Sequence, residues 1–241
     1  MTLPGSADVY ALIDATWPAA RTDRVGPWLV RDGRGGGSRV SAATMVGAPA
    51  LGDLELAEHA MAALGQAPLF MIRDGDADVD RLLADAGYAV KDPVVAYAAS
   101  LDVLIGDGLP RLSAFRAWPP LAVQAEIWAT ADIGPARLAV MDRALGPKTS
   151  FLGRRQDCPA GTVYVACHGT HAMLHALEVL SKFRRQGLAR HLVRAAAIWA
   201  QAQGAVDLSL VVTRANVAAN ALYASLGMEV VGQYHYRIRP Q

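Results

Sequence analysis

The chain has 241 residues, 53% of them hydrophobic and 19% charged, with a formal net charge of +1 at neutral pH. That balance excludes a disordered chain and gives no bulk electrostatic reason to bind nucleic acid or an acidic membrane. Although the mean hydropathy is +0.20, no apolar run approaches the ~20 residues that span a bilayer, and no basic segment leads into an apolar one at the N-terminus, so the cytoplasm is the expected compartment.

In chain order, residues 7–15 read as a short helix ending at Trp17-Pro18. Residues 27–45 alternate like two strands around Asp32-Gly33-Arg34-Gly35-Gly36-Gly37. This glycine run invites comparison with a phosphate loop. It lacks Gly-Lys-Ser/Thr and no helix is expected after it, so a flexible hairpin turn is the preferred reading. Residues 53–64 read as a helix, with Asp53 as N-cap and Leu54, Ala57, Met61 and Leu64 on one face. A buried strand at 68–73, a helix at 76–86 closed by Gly87, and a strand at 94–99 follow. Gly106 to Pro110 is a Gly/Pro-rich break and sets the expected boundary between a first domain, 1–106, and a second, 107–241.

The second half predicts a strand at 112–118, helices at 121–130 and 135–145, and strands at 149–154, 162–168 and 172–179. Residues 158–161 and 168–170 are expected to turn between those strands. A long helix at 187–203 places Leu188, Leu192, Ala195, Ala196 and Trp199 on its apolar side. A strand at 207–213, a helix at 217–226 and a strand at 229–237 complete the chain. This mixture of hairpins and crossovers predicts the α/β (α+β) class, with a mixed, mostly antiparallel sheet flanked by helices. Cys158 and Cys167 lack zinc-ligand spacing and no HExxH set appears, so no metal is expected.

Gly87 and Gly227 lie 140 positions apart, and at that offset Arg81–Val90 lies over Ala221–Val230. Both stretches read as helix, glycine cap, then a strand rich in Val and Tyr. Both halves also start with a helix near a Trp. Two copies of one fold in tandem are the inference. Leu83 stands where Tyr223 stands, and the first copy has no counterpart of Arg184–Arg190. The first half therefore reads as a degenerate copy without a cofactor site.

The informative stretch is Val179–Arg190, where a strand runs into Arg184-Arg185-Gln186-Gly187-Leu188-Ala189 and then a helix. A helix N-terminus presents unpaired N–H groups and a partial positive charge, and so holds phosphate. Gly187 and Ala189 let a diphosphate approach the backbone, and Arg184, Arg185 and Arg190 add charge. The Arg/Gln-x-x-Gly-x-Gly/Ala signature between strand and helix resembles motif A of the GNAT superfamily of N-acetyltransferases, with Ala189 in place of the last glycine. Asn216-x-x-Ala219-x-x-Leu222-Tyr223 resembles the family's segment after its fifth strand, and Leu226-Gly227-Met228 its ending. The likeness is clear over residues 110–241.

That resemblance implies a GNAT fold, acetyl-CoA as co-substrate and a primary amine of a small molecule or peptide as acceptor, in a ternary complex. It implies cofactor contacts from Leu177, Val179, Arg184, Arg185, Gln186, Gly187, Leu188, Ala189, Arg190, Asn216 and Tyr223. The N–H of Val179 would stabilise the thioester oxygen, and Tyr223 would give the leaving thiolate a proton. Asn216 has an equal structural use as a helix cap. By period two, Met173, His175, Leu177 and Val179 share one strand face. His175 is therefore a catalytic candidate for taking the amine's proton, as in arylalkylamine N-acetyltransferases. A hydrogen-bonded sheet histidine is an equal reading, with Glu178, on the opposite face, or water as other bases. The acceptor pocket is expected around Trp128, Arg137, Met141 and the hairpin near Thr170, with the first domain as a further contributor; Arg137 reads either as a holder of a substrate carboxylate or, the preferred reading, as a surface arginine. An acyl-CoA-binding sensor without transfer activity is the alternative function. A dinucleotide-binding protein is disfavoured, since the glycines follow a hairpin strand and lack a G-x-G-x-x-G turn.

Overall fold

The computed structural model describes residues 2–47, 52–106 and 113–240. Helix α1 (Ser6–Thr16) leads into β1 (Arg21–Val25), β2 (Trp28–Asp32), a helical turn α2 (Ser38–Ser41) and β3 (Thr44–Met45). Then come α3 (Asp53–Ala63), β4 (Leu69–Arg73), α4 (Ala77–Asp85), β5 (Ala89–Ser100) and α5 (Leu101–Ile105). The second segment holds β6 (Ala114–Ala117), α6 (Ala122–Ala129), α7 (Pro135–Arg143), β7 (Lys148–Arg155), β8 (Cys158–His168) and β9 (His171–Val179). A 3-10 turn (Ser181–Phe183) precedes α8 (Leu188–Ala202), β10 (Asp207–Thr213), α9 (Val217–Ser225) and β11 (Glu229–Ile238). Among the described residues no helix is long and apolar enough to cross a membrane.

Several expectations change in detail. The glycine run does open a short helix, α2, with Gly37 as its N-cap. Gly52, not Asp53, caps α3. The β7–β8 turn falls on Gln156 and Asp157, both at positive φ, which puts Cys158–Gly161 inside β8. Of the expected Gly106–Pro110 break, only Gly106 lies within the described residues.

Strands β1–β3 form a small sheet, and the other eight run in the order β4-β11-β5-β10-β9-β8-β7-β6. Side-chain alternation sorts the large sheet into two faces. In β5, Val95, Tyr97 and Ala99 pack with α8 and α9, whereas Val94 and Ala96 pack with α1. The apolar side of α8 buries Leu188, Leu192, Ala195, Ala196 and Trp199, as the spacing predicts. A third core joins Trp28, Met61, Phe70 and Leu83, and a fourth joins Trp17, Trp128, Met141 and Tyr164.

The last strand does not return to its own segment's edge. β11 lies between β4 and β5, and β5 lies between β11 and β10. The 140-residue offset reappears in this ladder. Glu229 pairs with Ala98 and Ile238 with Ala89, so moving each member by 140 positions converts one pair into the other. Tyr234 pairs with Val94, its own counterpart, and so marks a local twofold axis. The outer ladders obey the same rule, since Tyr234↔Arg73 maps onto Thr213↔Val94. Strand β5 of the first segment therefore stands next to β10, close to the stretch that carries the sequence signature.

A bulge in β9 has the largest consequence for the site. Thr162 pairs with Glu178 and Tyr164 with His175, so Ala176 and Leu177 together stand opposite Val163. Ala176 takes φ +52°, and its carbonyl accepts from Trp128 Nε1 at 2.7 Å. Trp128 is fully buried. Trp128→Phe is expected to lower stability by about 0.5–1.5 kcal/mol, because the partly buried Ala176 carbonyl would lose its donor. Urea denaturation reads this directly, and an unchanged midpoint would show that something else holds the bulge.

Candidate active site

β9 and β10 pair in parallel from His171↔Asp207 to Leu174↔Leu210, and then part. β10 continues to Thr213 along β5, while β9 continues to Val179 along β8. A wedge remains between two parallel strands. Leu180 N–H donates to Ala160 O at 2.9 Å, so the adjoining Val179/Gly161 pair is the non-bonded one of that ladder. The N–H and C=O of Val179 therefore point away from β8, toward the wedge.

The α8 face of the wedge ends in the signature loop. Arg185 sits at φ +62° and Gly187 at φ +83°, with open space where a Cβ on Gly187 would lie. The first ladder bond of the helix runs from His191 N–H to Gly187 O at 3.2 Å. The N–H groups of Leu188, Ala189 and Arg190 precede the ladder and suit an anion. Arg184 has a bracing role: its Nε donates to Val179 O at 2.9 Å and its Nη2 pairs with Glu178 Oε1 at 3.0 Å. Gln186 accepts from Arg155 Nε at 3.3 Å, and Arg190 Nη2 donates to Ser225 Oγ at 3.0 Å. Burial, and then Arg155, Arg194 and Arg190, hold His191 below the usual imidazole range.

Tyr223 stands on α9, 6% exposed. Burial pushes its phenol up, so it keeps its proton. The Tyr97 ring from β5 lies 5.9 Å away, and Tyr97 Oη donates to Asn220 Oδ1 at 3.1 Å. Asn220 Nδ2 donates to the carbonyls of Thr213 (3.0 Å) and Asn216 (2.8 Å). Asn216 Oδ1 accepts from Ala219 N–H at 3.1 Å and caps α9. The structure thus uses Asn216 as the cap that sets the helix bearing Tyr223.

His175 is the main correction. Leu177 and Val179 pack with the α8 core, Met173 packs with α1, and the His175 ring stacks on Trp17 and Tyr164. The extra residue at the bulge flips the alternation, so His175 faces away from Leu177 and Val179. By the same shift Glu178 falls on the face of His175, contrary to the period-two expectation. His175 Nδ1 meets Arg39 Nη1 at 3.0 Å, and an arginine only donates, so Nδ1 is the acceptor. Its Nε2–H then donates to Thr16 Oγ1 at 2.8 Å, and Thr16 passes its own hydrogen to Leu12 O at 2.6 Å. Burial, then Arg39, hold His175 well below the usual range.

On this α1 face a cavity of about 260 Å³ opens at the split, lined by His175 and Ala176 of β9 and Val211–Thr213 of β10. Trp17, Gly37, Arg39, Arg137, Tyr234 and Tyr236 complete much of its wall. Arg137 is the expected pocket residue that reaches it. Trp128 and Met141 are instead fully buried core, and Thr170 sits at the far end of β9. Arg39, Tyr97 and Tyr234 were not legible as site residues. Only the offset of 140, carried through to strand pairing, would have placed β5 beside β10 and β11 beside β5.

A parallel-strand wedge with a backbone N–H aimed into it and a basic helix start beside it defines an acyl-CoA-dependent N-acetyltransferase. Comparison with known proteins names the family. Residues 114–228 match the model of the "Acetyltransferase (GNAT) family", whose members use acetyl-CoA. The chain is 25% identical over 240 residues to an uncharacterized N-acetyltransferase, YobR, of Bacillus subtilis, covering 96% of this chain and 97% of that protein. Its fold resembles a GCN5-related N-acetyltransferase from Kribbella flavida, with TM-score 0.72 and 17% identity, over 98% of this chain and 96% of that one. It also resembles a tandem GNAT protein from the clavulanic acid biosynthesis pathway, with TM-score 0.60 and 14% identity, over 81% of this chain and 74% of that one.

Proposed function

We propose that the chain moves an acetyl group from acetyl-CoA to a primary amine of a small molecule, by direct attack in one ternary complex. The observation that carries this is the wedge between β9 and β10, with a basic, glycine-opened helix start on one side and a small open cavity on the other. The two substrates would then meet at the split itself. Bound acetyl-CoA supplies a thioester carbonyl. Leu177 and Val179 would hold the pantetheine arm like an added strand, with the Val179 N–H directed at the carbonyl oxygen. The N–H groups of Leu188, Ala189 and Arg190, with Arg185, Gln186 and Gly187, would take the diphosphate, while Arg184 fixes the end of β9. Tyr223 would give its proton to the departing thiolate.

His175 is not assigned the role of base in this reading, because its one basic nitrogen is occupied by Arg39 and its charged form is disfavoured. Glu178 is tied to Arg184. The amine's proton is therefore assigned to water at the cavity mouth. We further infer that the first segment is a second copy of the fold without a cofactor site. The shared offset of the β5 and β11 ladders supports that reading.

Isothermal titration of the full chain with acetyl-CoA tests the assignment. Saturable binding to well-folded protein is expected, and its absence would overturn it.

A further inference from the structure

We propose that the acceptor amine carries a carboxylate, and that Arg39 and Arg137 hold it. This rests on reading the α1-face cavity as the acceptor site. Both guanidinium-bearing residues line that cavity, one from each segment of the chain. Arg39 is aimed by two contacts. Its Nη1 donates to His175 Nδ1 at 3.0 Å, and its guanidinium carbon lies 5.5 Å from the centroid of the Trp17 ring. Arg137 sits in the first turn of α7 and donates to the Asp132 carbonyl at 3.2 Å.

Gly37 makes the placement of Arg137 possible. A Cβ there would come within 3.3 Å of Arg137 Nε and Nη2, and Gly37 is at φ +96°. The glycine run therefore has a use that a flexible turn would not require: it lets a cation lie over the backbone at the cavity wall.

Charge balance then points to the ligand. Among the described residues, no Asp or Glu forms an ion pair with Arg39 or Arg137, whereas Arg31, Arg73, Arg184 and Arg237 each have one. The lining includes one acid, Asp92, which is exposed. Two arginines share a cavity of about 260 Å³, and a planar carboxylate matches the fork of a guanidinium. The small volume suits an amino acid or a similar short amino-carboxylate. An aminoalkyl phosphonate presents related oxygens in a tetrahedral array, and the test separates the two.

The probes are glycine, β-alanine, γ-aminobutyrate and the common α-amino acids, each beside its carboxamide, together with 2-aminoethylphosphonate. Two readouts are taken on the full chain: thiol release with acetyl-CoA, and thermal shift without it. Free carboxylates are expected to exceed their amides by about 10- to 100-fold in kcat/KM, the worth of one or two charge-assisted hydrogen bonds. Arg137→Gln should raise KM for the carboxylates by about tenfold or more and erase most of their advantage, with acetyl-CoA affinity unchanged. Equal use of acids and amides, or use of the phosphonate alone, would overturn the proposal while leaving acyl transfer intact. Carboxylate binding that depends on Arg137 in a chain that fails to bind acetyl-CoA would support the site and sink the transferase assignment. No shift and no turnover with any carboxylate would overturn the proposal.

Discussion

Tyr223→Phe is expected to lower kcat for amine acetylation by about 10²- to 10⁴-fold, with acetyl-CoA affinity nearly unchanged. The substitution removes one hydroxyl and keeps the ring in the core formed with Val95, Leu192 and Leu226. Burial pushes the Tyr223 phenol up, so the protonated form that the proposed acid role requires is the one present at neutral pH. A purely structural tyrosine would behave differently: its loss would shift the melting temperature and leave kcat alone. Steady-state rates across pH 6–9, alongside thermal melts, separate the two, and an unchanged kcat would remove the role. The neighbouring Tyr97 comes from the first segment and bonds Asn220 on the same helix. The acid's surroundings are therefore built partly by the segment that lacks the signature.

How much of this was legible in sequence depends on the range of the contacts involved. Helix α8 and strand β10 follow from local pattern: the spacing Leu188-Leu192-Ala195-Ala196-Trp199 defines one, and Asp207–Thr213 matches the expected strand residue for residue. The phosphate loop is legible for the same reason, since strand, glycine and helix are adjacent in the chain. Single-residue insertions in register are not legible. The Ala176 bulge depends on a hydrogen bond from Trp128, 48 positions earlier, and no local signal marks it. That one residue moves His175 to the other face and Glu178 with it. The cavity proposed for the acceptor was only partly legible: the first domain and Arg137 were among the expected contributors, but no pattern named Trp17, Arg39, Tyr234 or Tyr236. The repeat pattern supplied the offset, but not the fact that β5 and β11 each lie beside a strand of the other segment.

Lowering pH is expected to destabilise the fold through His175, and this can be isolated. Its unfolded pKa is near the ordinary ~6.5, and its folded value lies well below. Between those two values the unfolded chain binds the extra proton and the native chain does not. The stabilisation is therefore fully present above about pH 6.5 and is lost as pH falls toward the folded value, at up to about 1.4 kcal/mol per pH unit from this site. Arg39 faces the ring and stays charged throughout, so it sharpens the penalty rather than relieving it. His175→Gln cannot take up a proton there, and its amide offers both an acceptor for Arg39 and a donor for Thr16. Urea denaturation of both proteins between about pH 5 and 7.5 should show the wild type losing up to about 2 kcal/mol more than the variant across that range, nearly all of it below about pH 6.5. Parallel curves would mean that native His175 takes up a proton over the same pH range as the unfolded chain, contrary to the bonds drawn for Nδ1 and Nε2. The same pair of proteins tests catalysis. If His175 only braces Arg39, the Gln variant keeps the wild-type pH profile of kcat/KM. An inflection present in the wild type and missing in the variant would restore His175 as the base.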